Sequence, residues 1–206
     1  MLKKIISFAM AIAIIGTSFS AFWYTNDQLE SANDLAERGV VKDHKMDPQA
    51  YNLDSNVLRQ EIALISRRVS GFKENTGCKN TFSDVSSSMP NTWACKNIES
   101  LVDNDLITAN ASFRPEDSIT KSEALIMFIR SIGFDFKIND MSNWQKEVVD
   151  FAVSKWVVDS FTDYNTLAKR GWIFEIANFS IVVKEEEVKK WIWKWRKAKV
   201  YTDEVL

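Results

Sequence analysis

The sequence predicts a mostly all-α protein in which three helix–loop–helix units pack against one another and a helical tail follows. Apolar residues recur at three- and four-residue spacing in paired stretches, the mark of amphipathic helices. These pairs can be laid over one another three times, at a pitch of about fifty to sixty residues. A unit of that size cannot bury its own apolar face, so the three are expected to share a core.

Residues 1–20 read as a secretory leader. Lys3 and Lys4 precede the apolar run from Ile5 to Ile15, and Ser18-Phe19-Ser20 has the small-x-small form of a cleavage site. Cleavage leaves Ala21 first and sends the chain to the cell envelope or surface. The alternative is an uncleaved membrane anchor, because Phe22, Trp23 and Tyr24 extend the apolar stretch toward the ~20 residues a bilayer needs. No later stretch is long and apolar enough to span a membrane.

The first unit, residues 21–75, carries Ala32 and Leu35 on one helical face and then Gly39-Val40-Val41. Leu58-Arg59-Gln60-Glu61 opens its second helix, which runs through Ile62, Ile65 and Val69 and stops at Gly71. The second unit, residues 76–135, repeats the plan more fully. Trp93, Asn97/Ile98 and Leu101 line its first helix, Asp105-Leu106-Ile107 ends it, and Phe113-Arg114-Pro115 sits in the loop. Its second helix follows Ile119-Thr120-Lys121-Ser122-Glu123 and stops at Gly133. Residues 75–90, with Ser86-Ser87-Ser88, read as the clearest linker between units. In the third unit, residues 136–183, Trp144, Val148/Val149 and Ala152 lead to Trp156-Val157-Val158. Lys169-Arg170-Gly171-Trp172 then opens a helix through Phe174, Ala177 and Ile181. The tail, residues 184–206, sets Val188, Trp191, Ile192 and Trp195 on one stripe, which suits packing on its own domain or on a membrane surface.

Composition narrows the function classes. The formal net charge is −2, and loss of Lys3 and Lys4 with the leader makes the chain more acidic. A nucleic-acid reader is normally basic, so nucleic acid is not an expected partner. Cys78 and Cys95 are the two cysteines. After export they meet an oxidising environment, where pairing is the default and two free thiols are the alternative.

Phe82-Ser83-Asp84-Val85, Trp93, Leu106-Ile107, Phe113-Arg114-Pro115 and Ile119-Thr120-Lys121-Ser122-Glu123 together resemble one S-layer homology (SLH) repeat. That family's pattern runs F-x-D-V, W-A-x-x-A-I, G-I-I, F-x-P and I-T-R-A-E. The flanking units keep the order with fewer signature residues. The first lacks the tryptophan, its place falling near Asp27, and the third has Trp172 where the glutamate belongs. Asp105 and Trp156 stand where the family usually has glycine, which puts their turn geometry in question. The resemblance implies three tandem repeats closed into a pseudo-threefold bundle. It further implies grooves that bind an acidic, often pyruvylated, cell-wall polysaccharide or a peptidoglycan-linked polymer, without chemical turnover and without a cofactor.

A sugar with a ketal-linked carboxylate presents an anion beside an apolar ring face. Its recognition calls for a cation, backbone N–H groups at a helix start and an aromatic plate. Arg59, Lys121 and Arg170 each lie in the first turn of a second helix, and Trp93 and Trp144 are the candidate plates. Arg59 is expected to matter least, since no tryptophan heads the first helix of its unit. Other roles stand beside these. Trp93 and Trp144 suit the core equally well, Glu123 is a ligand candidate that also has the spacing of a capping box with Thr120, and Asp84 suits a loop–helix junction as well as a ligand.

Catalysis finds little support. His44 is the lone histidine and sits among Lys42, Asp43 and Lys45, so no Ser/His/Asp set assembles. A glycosidase needs two carboxylates, and Asp84, Glu99 and Glu123 are present, but the repeat gives each a structural task. Asp103-Asn104-Asp105 lacks the remaining spacing of a calcium loop, so no metal is expected. The reading from another class is an envelope adaptor whose bundle has lost its sugar site and binds a surface protein.

Overall fold

The computed structural model describes residues 24–88 and 92–203, with side chains through 186 and at 189. The expected leader and the side chains of Val188, Trp191, Ile192 and Trp195 lie outside that range. The described residues are mostly helical, with six α-helices and no strand: α1 (Asn26–Glu37), α2 (Arg59–Ser70), α3 (Thr92–Asp103), α4 (Lys121–Ser131), α5 (Trp144–Ser154) and α6 (Arg170–Asp203). A short 3-10 turn, Pro48–Tyr51, lies between α1 and α2.

Each helix buries the face its periodicity marks. Ala32 and Leu35 of α1, Ile62 and Ile65 of α2, Ile98 and Leu101 of α3, Leu125 and Phe128 of α4, Val148 and Ala152 of α5, and Ile173 and Ala177 of α6 form one core. The serine-rich segment expected as a linker is packed rather than loose. Phe82 and Val85 are buried in that core, and the Cys78–Cys95 disulfide ties the segment to α3, with the two Cα atoms 5.7 Å apart.

The segments that precede α2, α4 and α6 meet in a closed ring of backbone hydrogen bonds. Val57 N–H donates to the Ala168 carbonyl (3.1 Å), Ala168 N–H to Ile119 (2.9 Å), and Ile119 N–H back to Val57 (2.9 Å). All three residues are fully buried. Each lies just before the opening of a second helix, and each bonds its N–H to one of the other two residues and its carbonyl to the other.

The first helix of every unit ends in the same way. Val40 N–H reaches the Leu35 carbonyl, Leu106 the Leu101 carbonyl and Val157 the Ala152 carbonyl, at 2.8–2.9 Å. The residue before each takes a left-handed backbone: Gly39 at φ 70°, Asp105 at φ 58° and Trp156 at φ 61°. The turn questioned at the sequence level is therefore kept in all three units. Outside glycine that conformation costs roughly 1–2 kcal/mol.

The second helices differ in length for a local reason. Gly71 (φ 77°) and Gly133 (φ 82°) stop α2 and α4, whereas no glycine or proline follows Gly171 in the chain. Helix α6 therefore runs on without a break across residue 184, where a separate tail was expected. It packs along α1, with Gln28 reaching Glu175 and Asn178 reaching Asp34. Lys184 Nζ donates to the Ser70 carbonyl at the end of α2, and Arg38 pairs with Glu185 at 2.6 Å. Among the described residues no helix is long and apolar enough to cross a membrane.

Candidate functional site

The basic residues at the helix starts are not free on the surface. Arg59 Nη1 lies 2.8 Å from Glu123 of the next unit, its Nε donates to the Phe113 carbonyl at 2.8 Å, and its guanidinium stacks 5.1 Å from the Phe113 ring. Arg170 Nη2 pairs with Glu61 at 2.8 Å, again across a unit boundary. The third junction departs from this scheme because Trp172 stands in the register of Glu61 and Glu123. Lys121 Nζ instead takes Asp163 at 3.0 Å and sits 5.3 Å from the Phe161 ring and 5.9 Å from the Trp172 ring.

The helix-start N–H groups expected to face an anion are already bonded. Arg59 N–H donates to Asp117 and Gln60 N–H to Pro115. Lys121 N–H donates to Thr166, Arg170 N–H to Ser55 and Gly171 N–H to Leu53, at 2.8–3.0 Å. The cause is the ring of inter-unit contacts: the loop of the next unit supplies the carbonyls that a solvent-exposed helix start would lack. The N–H groups of Arg59, Gln60, Lys121, Arg170 and Gly171 are therefore not open to an anion.

Glu123 is the most connected of the expected residues. It accepts from the Thr120 N–H (3.0 Å), from Arg59 and from Arg114 Nη2 (2.8 Å), while the Glu123 N–H donates to Thr120 Oγ1 (3.3 Å). The capping box and the inter-unit pair are thus the same carboxylate. Burial pushes that carboxyl up, but the Thr120 N–H and the Arg59 and Arg114 charges outweigh it and hold it below its ordinary value. Burial lowers Arg59 in turn, against the pull of Glu123. Asp84 accepts from the Phe113 and Arg114 N–H groups at 2.8 and 2.7 Å, which fixes the loop beside Arg59.

Three grooves follow from these contacts. The groove at Arg170, about 400 Å³, is lined by Lys42, Arg68, Arg170, Glu61, Tyr51 and Trp93. Trp93 is 43% exposed at its rim, so it is a wall of the groove and not core. The groove at Arg59, about 340 Å³, is lined by Arg59, Arg114, Arg130, Glu123, Phe113 and the half-buried Trp144. Cations outnumber carboxylates on the walls of both.

These positions correct one expectation about tryptophan. The tryptophan in each groove comes from the unit that follows the glutamate's, so Trp93 of the second unit lines the groove of Arg170–Glu61 and Trp144 of the third lines that of Arg59–Glu123. Arg59 is therefore not the cation without a plate. The first unit has Asp27 in the tryptophan register, so the shortfall falls on the Lys121 groove. That groove, about 510 Å³, is lined instead by Trp156 and Trp172 of the third unit itself.

Two other candidate sites are occupied by structure. Cys78, Cys95 and Glu99 lie close enough together to suggest a metal, but the sulfurs are joined and Glu99 accepts from the Lys79 and Thr81 N–H groups. Asn178-Phe179-Ser180, which has the form of an N-glycosylation triplet, lies within α6 with Ser180 fully buried.

Comparison with known proteins agrees with this geometry at the middle unit. Residues 81–125 match the S-layer homology domain. That stretch contains the disulfide's Cys95, the capping box and Asp84. The chain is also similar to the middle cell wall protein of Brevibacillus brevis (strain 47 / JCM 6285 / NBRC 100599), at 24% identity over 138 residues. That similarity covers 65% of this chain and 13% of the relative, so the chain spans a small part of the relative's length.

Sequence reasoning missed Glu61, Arg114 and Asp163 as ion-pair partners, and Trp156 and Phe161 as groove residues. Glu61 had a signal, since it shares the register of Glu123. The others lie in loops whose positions no helical period marks.

Proposed function

We propose that this chain is a non-catalytic anchoring module of the cell surface, secreted by its leader, that binds an acidic, often pyruvylated, cell-wall polysaccharide. In this reading three tandem SLH-like repeats form a pseudo-threefold bundle, and sugars lie in the grooves between them. The closed ring through Val57, Ile119 and Ala168 supports the bundle. The match of residues 81–125 to the S-layer homology domain and the similarity to a cell wall protein support the location.

One observation carries the choice of ligand. The Arg59 and Arg170 grooves each pair an excess of guanidinium and ammonium with a tryptophan wall. Forked guanidinium groups suit a carboxylate, and the indole face suits the apolar side of a pyranose. Lys121 would be the cation of the remaining groove, and Asp84 and Glu123 would hold loops and guanidinium groups in place.

The test is sedimentation with purified sacculi, before and after chemical stripping of the polysaccharide. Arg170→Ala and Arg114→Ala should each weaken binding by about 1.5–3 kcal/mol, the range for a hydrogen bond to a charged group, at a temperature where both variants remain folded. Wild-type binding by both variants, or binding that survives stripping, overturns the carbohydrate reading. A second reading, a protein-binding adaptor, draws on Trp172 in place of a glutamate and on the engagement of Arg59 and Arg170 by Glu123 and Glu61. Loss of sacculus binding after protease treatment would favour it.

A further inference from the structure

The Lys121 groove differs from the other two in charge, in the source of its aromatics and in backbone strain. Lys121 is its cation, and Asp163 pairs with that ammonium while Asp159 and Glu175 line the walls. Carboxylates therefore outnumber cations, the reverse of the Arg59 and Arg170 grooves. A carboxylate-bearing sugar would meet net repulsion here.

Its aromatic surface is larger. Trp156 and Trp172 both line the cavity, with Phe161 edge-on to Trp172 at 6.2 Å between ring centres. Trp156 is 86% exposed and takes a left-handed backbone at φ 61°. At the same turn the first unit has Gly39, which adopts that conformation freely. A bulky aromatic residue in a conformation that favours glycine, contributing almost nothing to the core, is explained by what its indole faces and not by the fold. It also restores the aromatic wall that Asp27 fails to supply to this groove.

We propose that the groove of the third unit is a separate subsite for an uncharged pyranose, an N-acetylhexosamine or similar neutral sugar, stacked on Trp156 with Trp172 as the second wall. The inference rests on the carbohydrate reading above and narrows it: two grooves take the acidic residues of the polymer and the third takes a neutral one. Trp156 and Trp172 read the sugar's apolar face, and Asp159 and Glu175 accept from its hydroxyls.

The experiment titrates N,N′-diacetylchitobiose into the intact, disulfide-bonded, isotope-labelled protein and follows the indole N–H signals. The Trp156 signal is assigned by its loss in Trp156→Gly. The Trp156 and Trp172 signals should move, and Trp156→Gly should weaken the disaccharide by about tenfold. The same variant should melt about 2–4 °C higher, because glycine relieves the turn. A merely structural Trp156 would not make affinity fall while stability rises. Trp156→Phe, which keeps the strain and part of the aromatic face, should lose less affinity than Trp156→Gly. A parallel titration with a pyruvyl-ketal N-acetylhexosamine glycoside, in wild type and Arg170→Gln, reports on the acidic grooves. Acidic-probe binding with no response of Trp156 to the neutral sugar overturns this inference and leaves the anchoring reading intact. Neutral-sugar binding through Trp156 without acidic-probe binding supports the inference and removes the acidic reading. Wild-type affinity of Trp156→Gly for the neutral sugar overturns the subsite outright.

Discussion

Arg59 and Glu123, 64 residues apart in the chain, meet at 2.8 Å and hold the first unit against the second. Both side chains are largely withdrawn from water, at 16% and 24% exposure. Removing Arg59 leaves Glu123 to Arg114 and Thr120, and removing Glu123 leaves the largely buried guanidinium with the Phe113 carbonyl. Arg59→Ala should therefore lower stability by about 1.5–3 kcal/mol in urea unfolding. Arg114, which bonds the same carboxylate from a half-exposed position, should cost about 0–1 kcal/mol on conversion to alanine. Equal losses for the two variants would show that Arg59 is a surface pair like any other.

The Glu123 carboxyl makes this junction acid-sensitive. Its folded-state pKa lies below the ordinary value of 4.5, so the unfolded chain binds the proton first. The stabilisation is then fully present above the unfolded pKa and is lost as pH falls through the folded one. Wild type should lose stability steadily as the pH drops below about 4.5. Glu123→Gln should be less stable at neutral pH but show a shallower decline on the acid side. Parallel melts from pH 7 to pH 3 check this, and superimposable acid limbs would assign the dependence to other carboxylates.

The disulfide spans 17 residues of sequence and anchors the segment before α3. In the chain-entropy model a loop of that length is worth about 3 kcal/mol. Reduction should lower stability by that order without abolishing the helices, since the buried Phe82 and Val85 still hold the segment. Mass spectrometry of unreduced protein, followed by melts with and without reductant, measures both points.

Deleting the chain from residue 136 onward removes Ala168 and so opens the backbone ring. The Val57 N–H and Ile119 carbonyl are then left without their partners, and the faces of α2 and α4 that α6 covers are exposed. The truncated protein should lose its cooperative transition and bind a hydrophobic dye. A sharp, unchanged melt would show the remaining units to be self-sufficient.

The sequence by itself determined what local contacts control. Apolar spacing placed the six helices and their buried faces, Gly71 and Gly133 placed two helix stops, Thr120 with Glu123 placed a cap, and the two cysteines offered one pairing. The stripe beyond residue 184 read as a separate helical tail, whereas α6 runs from Arg170 to Asp203. What only the tertiary structure decided is which unit faces which. Trp93 and Trp144 line grooves whose glutamates, Glu61 and Glu123, belong to the preceding unit, Arg59 crosses to Glu123, Arg170 crosses to Glu61, and the helix-start N–H groups are filled by neighbouring loops. Periodicity encodes the face that a helix buries. It does not encode the direction in which three similar units close, and that direction assigns Trp144 to Arg59, leaves Asp27 beside the Lys121 groove, and gives Trp156 a reason to occupy a glycine's turn.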